Sequence, residues 1–155
     1  MYTEQWERIN RWLKRVESEQ ESQQDYVDFL WAFFQNCWHF KDWIKNDPET
    51  PKKVVDSIEG DINNYEALRI CADLANRSKH LTLRPGWERH DKDPQVRGHI
   101  KVGIEEDLPR GTTTSKVTWD YVVHLDDGTD RPVLDIAQDA LKGWVNLIQQ
   151  YGISI

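Results

Sequence analysis

Between Tyr26 and Ile44 the chain leaves almost no polar circumference on a helix. Tyr26, Leu30, Phe33, Cys37, Phe40 and Ile44 recur at helical spacing, Trp31, Phe34 and Trp38 widen that stripe on one side, and Phe29 and Trp43 widen it on the other. A helix so apolar must be covered on most of its sides, which predicts a central helix with others packed around it. The narrow strip left over holds Asp28, Gln35, His39, Asp42 and Asn46. Aromatic borders make that strip a groove. Ser22 followed by Asp25 resembles a capping box at the start, and Asn46-Asp47-Pro48 supplies the stop.

The flanking segments carry simpler patterns. Trp6, Ile9, Leu13 and Val16 give one apolar stripe over a first helix from an N-cap at Thr3 to about Ser18. Thr50-Pro51 reads as N-cap and first helical residue of a short helix stopped near Gly60, and Asn63 with Glu66 as a capping box for a helix to Lys79 or His80. From Leu81 the period falls to two. Val96, Ile100, Val102 and Ile104 alternate with polar residues, as do Val117, Trp119, Tyr121, Val123 and Leu125, around a polar loop from Glu105 to Ser115. A last helix is expected from about Arg131 to Tyr151, on Val133, Ala137, Ala140, Trp144, Ile148 and Tyr151, with Gly152 as C-cap. The class is mainly α: a four-helix bundle with an antiparallel β-hairpin inserted before the C-terminal helix. One domain is expected over 1–155, the bundle from 1–80 and 131–152 and the hairpin at about 95–126.

Cys37 and Cys71 fall on apolar faces, as reduced core thiols do. The polar start Met1-Tyr2-Thr3-Glu4-Gln5-Trp6 and the absence of a long apolar run predict a cytoplasmic protein without a membrane segment. A net charge of −7 argues against a general nucleic-acid coat. Residues 77–101 reverse the balance, with Arg77, Lys79, Arg84, Arg89, Lys92, Arg97 and Lys101 against Glu88, Asp91 and Asp93. A local basic patch is therefore compatible with an acidic chain.

That patch begins at the end of the helix before the hairpin. Arg69, Asp73, Asn76 and His80 fall on one helical stripe, edged by Glu66 and Arg77, while Leu68, Ala72 and Ala75 face away from it. A histidine one turn after an amide, beside Arg77 and Lys79, has the residue types for acid–base work on a phosphodiester. No glycine-rich phosphate loop or nucleophile elbow accompanies it.

Ala75-Asn76-Arg77-Ser78-Lys79-His80 resembles the signature of the HEPN superfamily, an Arg followed by a polar residue, often Asn, and a few residues later a His. Asn76 and His80 match the polar residue and the His; Ala75 stands where the signature Arg would be. The resemblance implies a small helical bundle that binds RNA or cleaves it without metal or cofactor, in a defence or toxin–antitoxin module, from a homodimer with a composite site. It makes His80 the acid–base group, Asn76 its orienter, Arg77, Lys79 and Arg69 the substrate contacts, and His39, Asp42 and Asp73 a second wall. The wider pattern, His39-x-x-Asp42-Trp43 with Cys71-x-Asp73-Leu74-Ala75-Asn76-x-x-Lys79-His80, also resembles bacterial and phage proteins without an assigned activity. Two other readings stay open on the same residues. One is a non-enzymatic helical module that binds a protein partner; the other is a metal site made from His39, Asp42, Asp73 and His80.

Overall fold

In the computed structural model, residues 1–18, 22–80, 85–107 and 111–155 are described, with backbone alone for 100–107 and 112–119. The helices are α1 (Tyr2–Glu17), α2 (Gln23–Asn46), α3 (Lys52–Asp61), α4 (Glu66–His80) and α5 (Val133–Tyr151); the strands are β1 (Gln95–Asp107), β2 (Thr112–His124) and β3 (Asp130–Pro132). The protein is mainly helical, with a small antiparallel sheet before the last helix.

Helix α2 is the central element, touching α1, α3, α4 and α5. Leu30, Phe33, Phe34, Cys37, Phe40 and Ile44 are completely buried along it. Ser22 caps it by accepting from the Asp25 amide, which leaves one fewer orphan donor in its first turn. Leu68, Ala72 and Ala75 of α4 face the core as the stripe pattern requires. Trp144 of α5 is fully buried, its ring edge-on to Phe40 at 5.0 Å, and its indole N–H donates to the Cys37 carbonyl at 3.1 Å. That bond fixes the last helix against the central one. Gly143 brings α5 close to α4: a Cβ there would meet Leu68 and Tyr65 at 3.2 Å. Gly152 takes the left-handed conformation at φ 65° and ends α5. Cys37 and Cys71 are free and buried.

Several boundaries depart from the sequence reading. Thr3 does not cap α1. The helix starts at Tyr2, whose amide donates to the Asp47 carboxylate at the far end of α2, 3.1 Å away. A tertiary partner replaces the local cap. Pro51, not Thr50, precedes α3, and the Thr50 hydroxyl is buried with no partner among the described residues. Helix α3 ends at Asp61, next to Gly60 as expected, and tightens into a 3-10 turn at Ile62–Asn64. Asn63 sits in that turn, and its side-chain Oδ1 accepts from the Arg89 guanidinium instead of closing a capping box.

The hairpin is longer than its apolar alternation suggested. β1 and β2 pair antiparallel from Gln95↔His124 to Asp107↔Thr112, so most of the expected loop is strand; residues 108–110 of that loop lie outside the described residues. Arg131, expected near the start of the last helix, instead lies in β3 (Asp130–Pro132), which pairs with Val122–His124, and α5 begins at Val133. Pro132 lacks the N–H that an interior strand would need, which suits an edge. At the base of the hairpin Tyr121 is 6% exposed and stacks on Tyr26 of α2 at 4.6 Å, while Val123 is completely buried.

Candidate functional site

The polar strip of α2 meets the end of α4. Gln35 donates to the Ser78 hydroxyl at 2.8 Å, and one turn later His39 Nε2 lies 2.7 Å from Lys79 Nζ. The other ring nitrogen, Nδ1, is 3.0 Å from Asp42 Oδ2, one turn further along α2. A lysine ammonium can only donate, so Nε2 accepts from it and Nδ1 carries the proton toward Asp42. The result is an ordered chain from carboxylate to imidazole to ammonium, with the His39 side chain 36% exposed.

Asp42 also anchors a deeper network. Lys41, whose side chain is 11% exposed, donates to Asp42 at 2.7 Å and to Glu59 at 3.1 Å; Lys45 and Arg89 complete the Glu59 shell at 3.1 and 2.9 Å. Two of these cations, Lys41 and Arg89, lie over the Trp38 ring at 4.7 and 4.6 Å from its centroid. Trp38 is 7% exposed, and these two cations cover its ring. Burial pushes the Asp42 carboxyl upward, but hydrogen bonds from Lys41 and His39 outweigh it and hold the group below its ordinary value. Glu59 behaves alike: burial raises it, and Lys41 with Lys45 brings it lower.

A pH dependence follows from Glu59. Its native value is depressed below 4.5, so its contribution to stability is present above pH 4.5 and disappears as the pH falls through the native value. In thermal melts the native chain is expected to exceed Glu59→Gln at neutral pH, and the two curves should converge in acid. A gap that stays constant down to the acid transition would contradict this assignment.

The α4 stripe is oriented elsewhere. Asp73 is completely buried beneath residues 85–94. Its carboxylate accepts three main-chain N–H groups, from Arg89 and His90 at 2.7 Å each and from Asp91 at 2.8 Å. Burial raises Asp73 above its ordinary value even against those three donors. Arg77 is engaged by Asp93 and by the Pro94 carbonyl. His80 is exposed, with its ring edge-on to Trp87 at 5.5 Å, and Trp87 itself is 45% exposed. Arg69 and Asn76 are half-buried, and the Arg69 Nε has no partner among the described residues.

The two polar stripes therefore do not face each other. Lys79, not His80, joins His39 and Asp42, because neighbouring helix residues point about 100° apart. Asp73 belongs to the interior, not to a second wall of a cleft. The metal reading fails on the same point: both Asp73 oxygens are taken by amides, and among the described residues no three His, Cys, Asp or Glu are placed to hold an ion. No hydrogen bond links Asn76 to His80 among the described residues. Lys41 and Glu59 were missed by the sequence reading, and Arg89, counted in the basic segment, was not connected with α2. The Trp38 and Lys41 pair at i, i+3 was the available sign that a lysine could lie against the apolar side of α2.

Beside Asp42, a cavity of about 410 Å³ is lined by Met1, Trp43, Asn46, Asp47, Pro48 and Glu49. Its carboxylates make it unsuited to a phosphate. No helix among the described residues is long and apolar enough to cross a membrane. In comparisons with protein-family models, curated proteins and solved structures, nothing matches this chain.

Proposed function

We propose that this HEPN-like chain binds single-stranded RNA at the C-terminal end of α4. The observation that supports the reading is the pairing of Lys79 with His39 beside the exposed rings of His80 and Trp87. Lys79, His80 and Trp87 belong to residues 77–101, where seven Lys and Arg stand against three acidic residues. Lys79, positioned by His39, takes a phosphate, and the His80–Trp87 pair offers ring surface to a base, the combination by which single strands are held without sequence readout. Any cleavage by this site uses His39 as the acid–base group, since Asp42 orients it, with Lys79 stabilising the phosphate charge. Arg77 contributes by fixing the backbone at Asp93 and Pro94, not by touching substrate.

The test is fluorescence anisotropy with a short labelled RNA at low salt, followed by gel analysis of the same RNA. Lys79→Ala and Trp87→Ala are each expected to weaken binding roughly tenfold, the loss of one phosphate contact or one stacking contact. Affinity should fall as salt rises. Absence of binding, or affinity indifferent to both substitutions, would remove the reading. The net charge of −7 and the engagement of Arg77 favour the rival, a protein-binding module. A stoichiometric protein complex in a chain that fails to bind RNA would put that rival in its place.

A further inference from the structure

Strand β1 is the outer strand of the sheet, whose order is β1-β2-β3, and among the described residues nothing pairs with its outer edge. It is 13 residues long, roughly 40 Å, with no proline to blunt it. β3 supports only Val122–His124, so from Gly98↔Tyr121 to the tip the arm has two strands. A two-stranded ribbon is marginal in water, and a third strand is the usual remedy. The register also defines the faces. Ile100↔Trp119 and Val102↔Val117 continue the face that Val96↔Val123 begins, whereas positions 97, 99, 101, 105 and 107 share the other.

The identity of the missing strand is written in the order of charges along β1. Arg97, His99 and Lys101 come first on that second face, and Glu105 and Asp107 follow on the same face. Turned end for end about Val102, the strand complements itself. In that register Arg97 stands opposite Asp107 of the second copy and His99 opposite its Glu105, while positions 100 and 104, and 102 with itself, are paired on the apolar face. Moving the pairing by one residue sets charged positions on the apolar face, and moving it by two sets Ile100 against Glu106 or Lys101 against Lys101. β2 adds Asp120 and Lys116 to the charged face, one of each sign, so the pattern stands.

We propose that β1 pairs edge to edge with β1 of a second copy of this chain, antiparallel about a two-fold axis at Val102, making one continuous six-stranded sheet. The interface is isologous, so each favourable charge pair occurs twice. It is independent of the RNA reading, since that reading rests on His39, Lys79, His80 and Trp87, none of which lies in β1.

Light scattering coupled to size exclusion should give twice the 18.4 kDa chain mass. Arg97→Glu is expected to weaken the dimer roughly tenfold, since it sets like charges opposite each other twice, and adding Asp107→Arg should restore it. Val102→Cys should give a covalent dimer on mild oxidation, because the axis brings the residue opposite itself; Lys101→Cys, facing Gly103 across the axis, should not. Cys37 and Cys71, both completely buried, do not compete. A monomer would overturn the proposal. So would a dimer that ignores Arg97→Glu or one that Val102→Cys does not cross-link. If Arg97→Glu unfolds the chain, the charge-swapped double variant and the cross-link still decide.

Discussion

Replacing Asp73 with alanine is expected to cost on the order of 3–5 kcal/mol, a large fraction of the stability of a domain of this size. The carboxylate is completely buried and accepts the amides of Arg89, His90 and Asp91. Alanine leaves all three donors without a partner, and each buried orphan costs about 1–3 kcal/mol unless the backbone moves to find water. The ceiling on the loss is therefore the cost of opening residues 85–94, which is why the sum is not taken in full. Asp73→Asn is the informative comparison. One oxygen can keep the His90 and Asp91 amides, the side-chain NH₂ faces the Arg89 amide, and the cost of burying charge, which raises the native carboxyl, is removed. Its loss should be roughly half that of alanine. Denaturant melts give the energies, and hydrogen exchange at residues 89–91 locates them. Unchanged protection at those amides in Asp73→Ala would sink the assignment.

Trp144→Ala is expected to cost about 3–5 kcal/mol through a different route, by leaving a cavity in the middle of the core. Trp144 is completely buried, meets Phe40 edge-on and donates to the carbonyl of Cys37, so the change removes apolar volume and a bond between α5 and α2 together. Trp144→Phe separates the two. It retains a ring against Phe40 and forfeits the indole N–H, with a loss of about 1–2 kcal/mol. The denaturation midpoint is the measurement, with the slope unchanged if the variant still unfolds in one step. Equal losses for Phe and Ala would show that the hydrogen bond, not the filling of space, is what Trp144 supplies.

Periodicity made α2 and α5 legible, because both are long and bury nearly everything their stripes contain. The Ser22 cap and the Gly152 stop were legible for a local reason: the partner lies within a few residues. Where the partner is distant, the same reasoning failed. Asp47 replaces a cap at Thr3 from the other end of α2, and Arg89 removes Asn63 from a capping box. The run Thr112-Thr113-Thr114 is polar but β-branched, and weighing its strand preference above its polarity would have lengthened the hairpin. At the site the residue types were readable and the rotation of α4 was not. Lys79 and His80 differ by one position, and only packing against α2 decides which of them reaches His39. Asp73 was unreadable for a further reason: its donors are main-chain amides, which leave no trace in residue identity.

That last feature also determines how freely the segment over α4 can change. Asp73 holds the amides of residues 89 to 91, Asp126 holds the amide of Lys92, and Asp91 holds those of Asp93 and Asp126. Three aspartates thus fix the path of the chain through its main-chain amides, while asking almost nothing of the exposed side chain at Lys92. That position can be rewritten without loosening the mount, so it can drift far faster than the carboxylates beneath it.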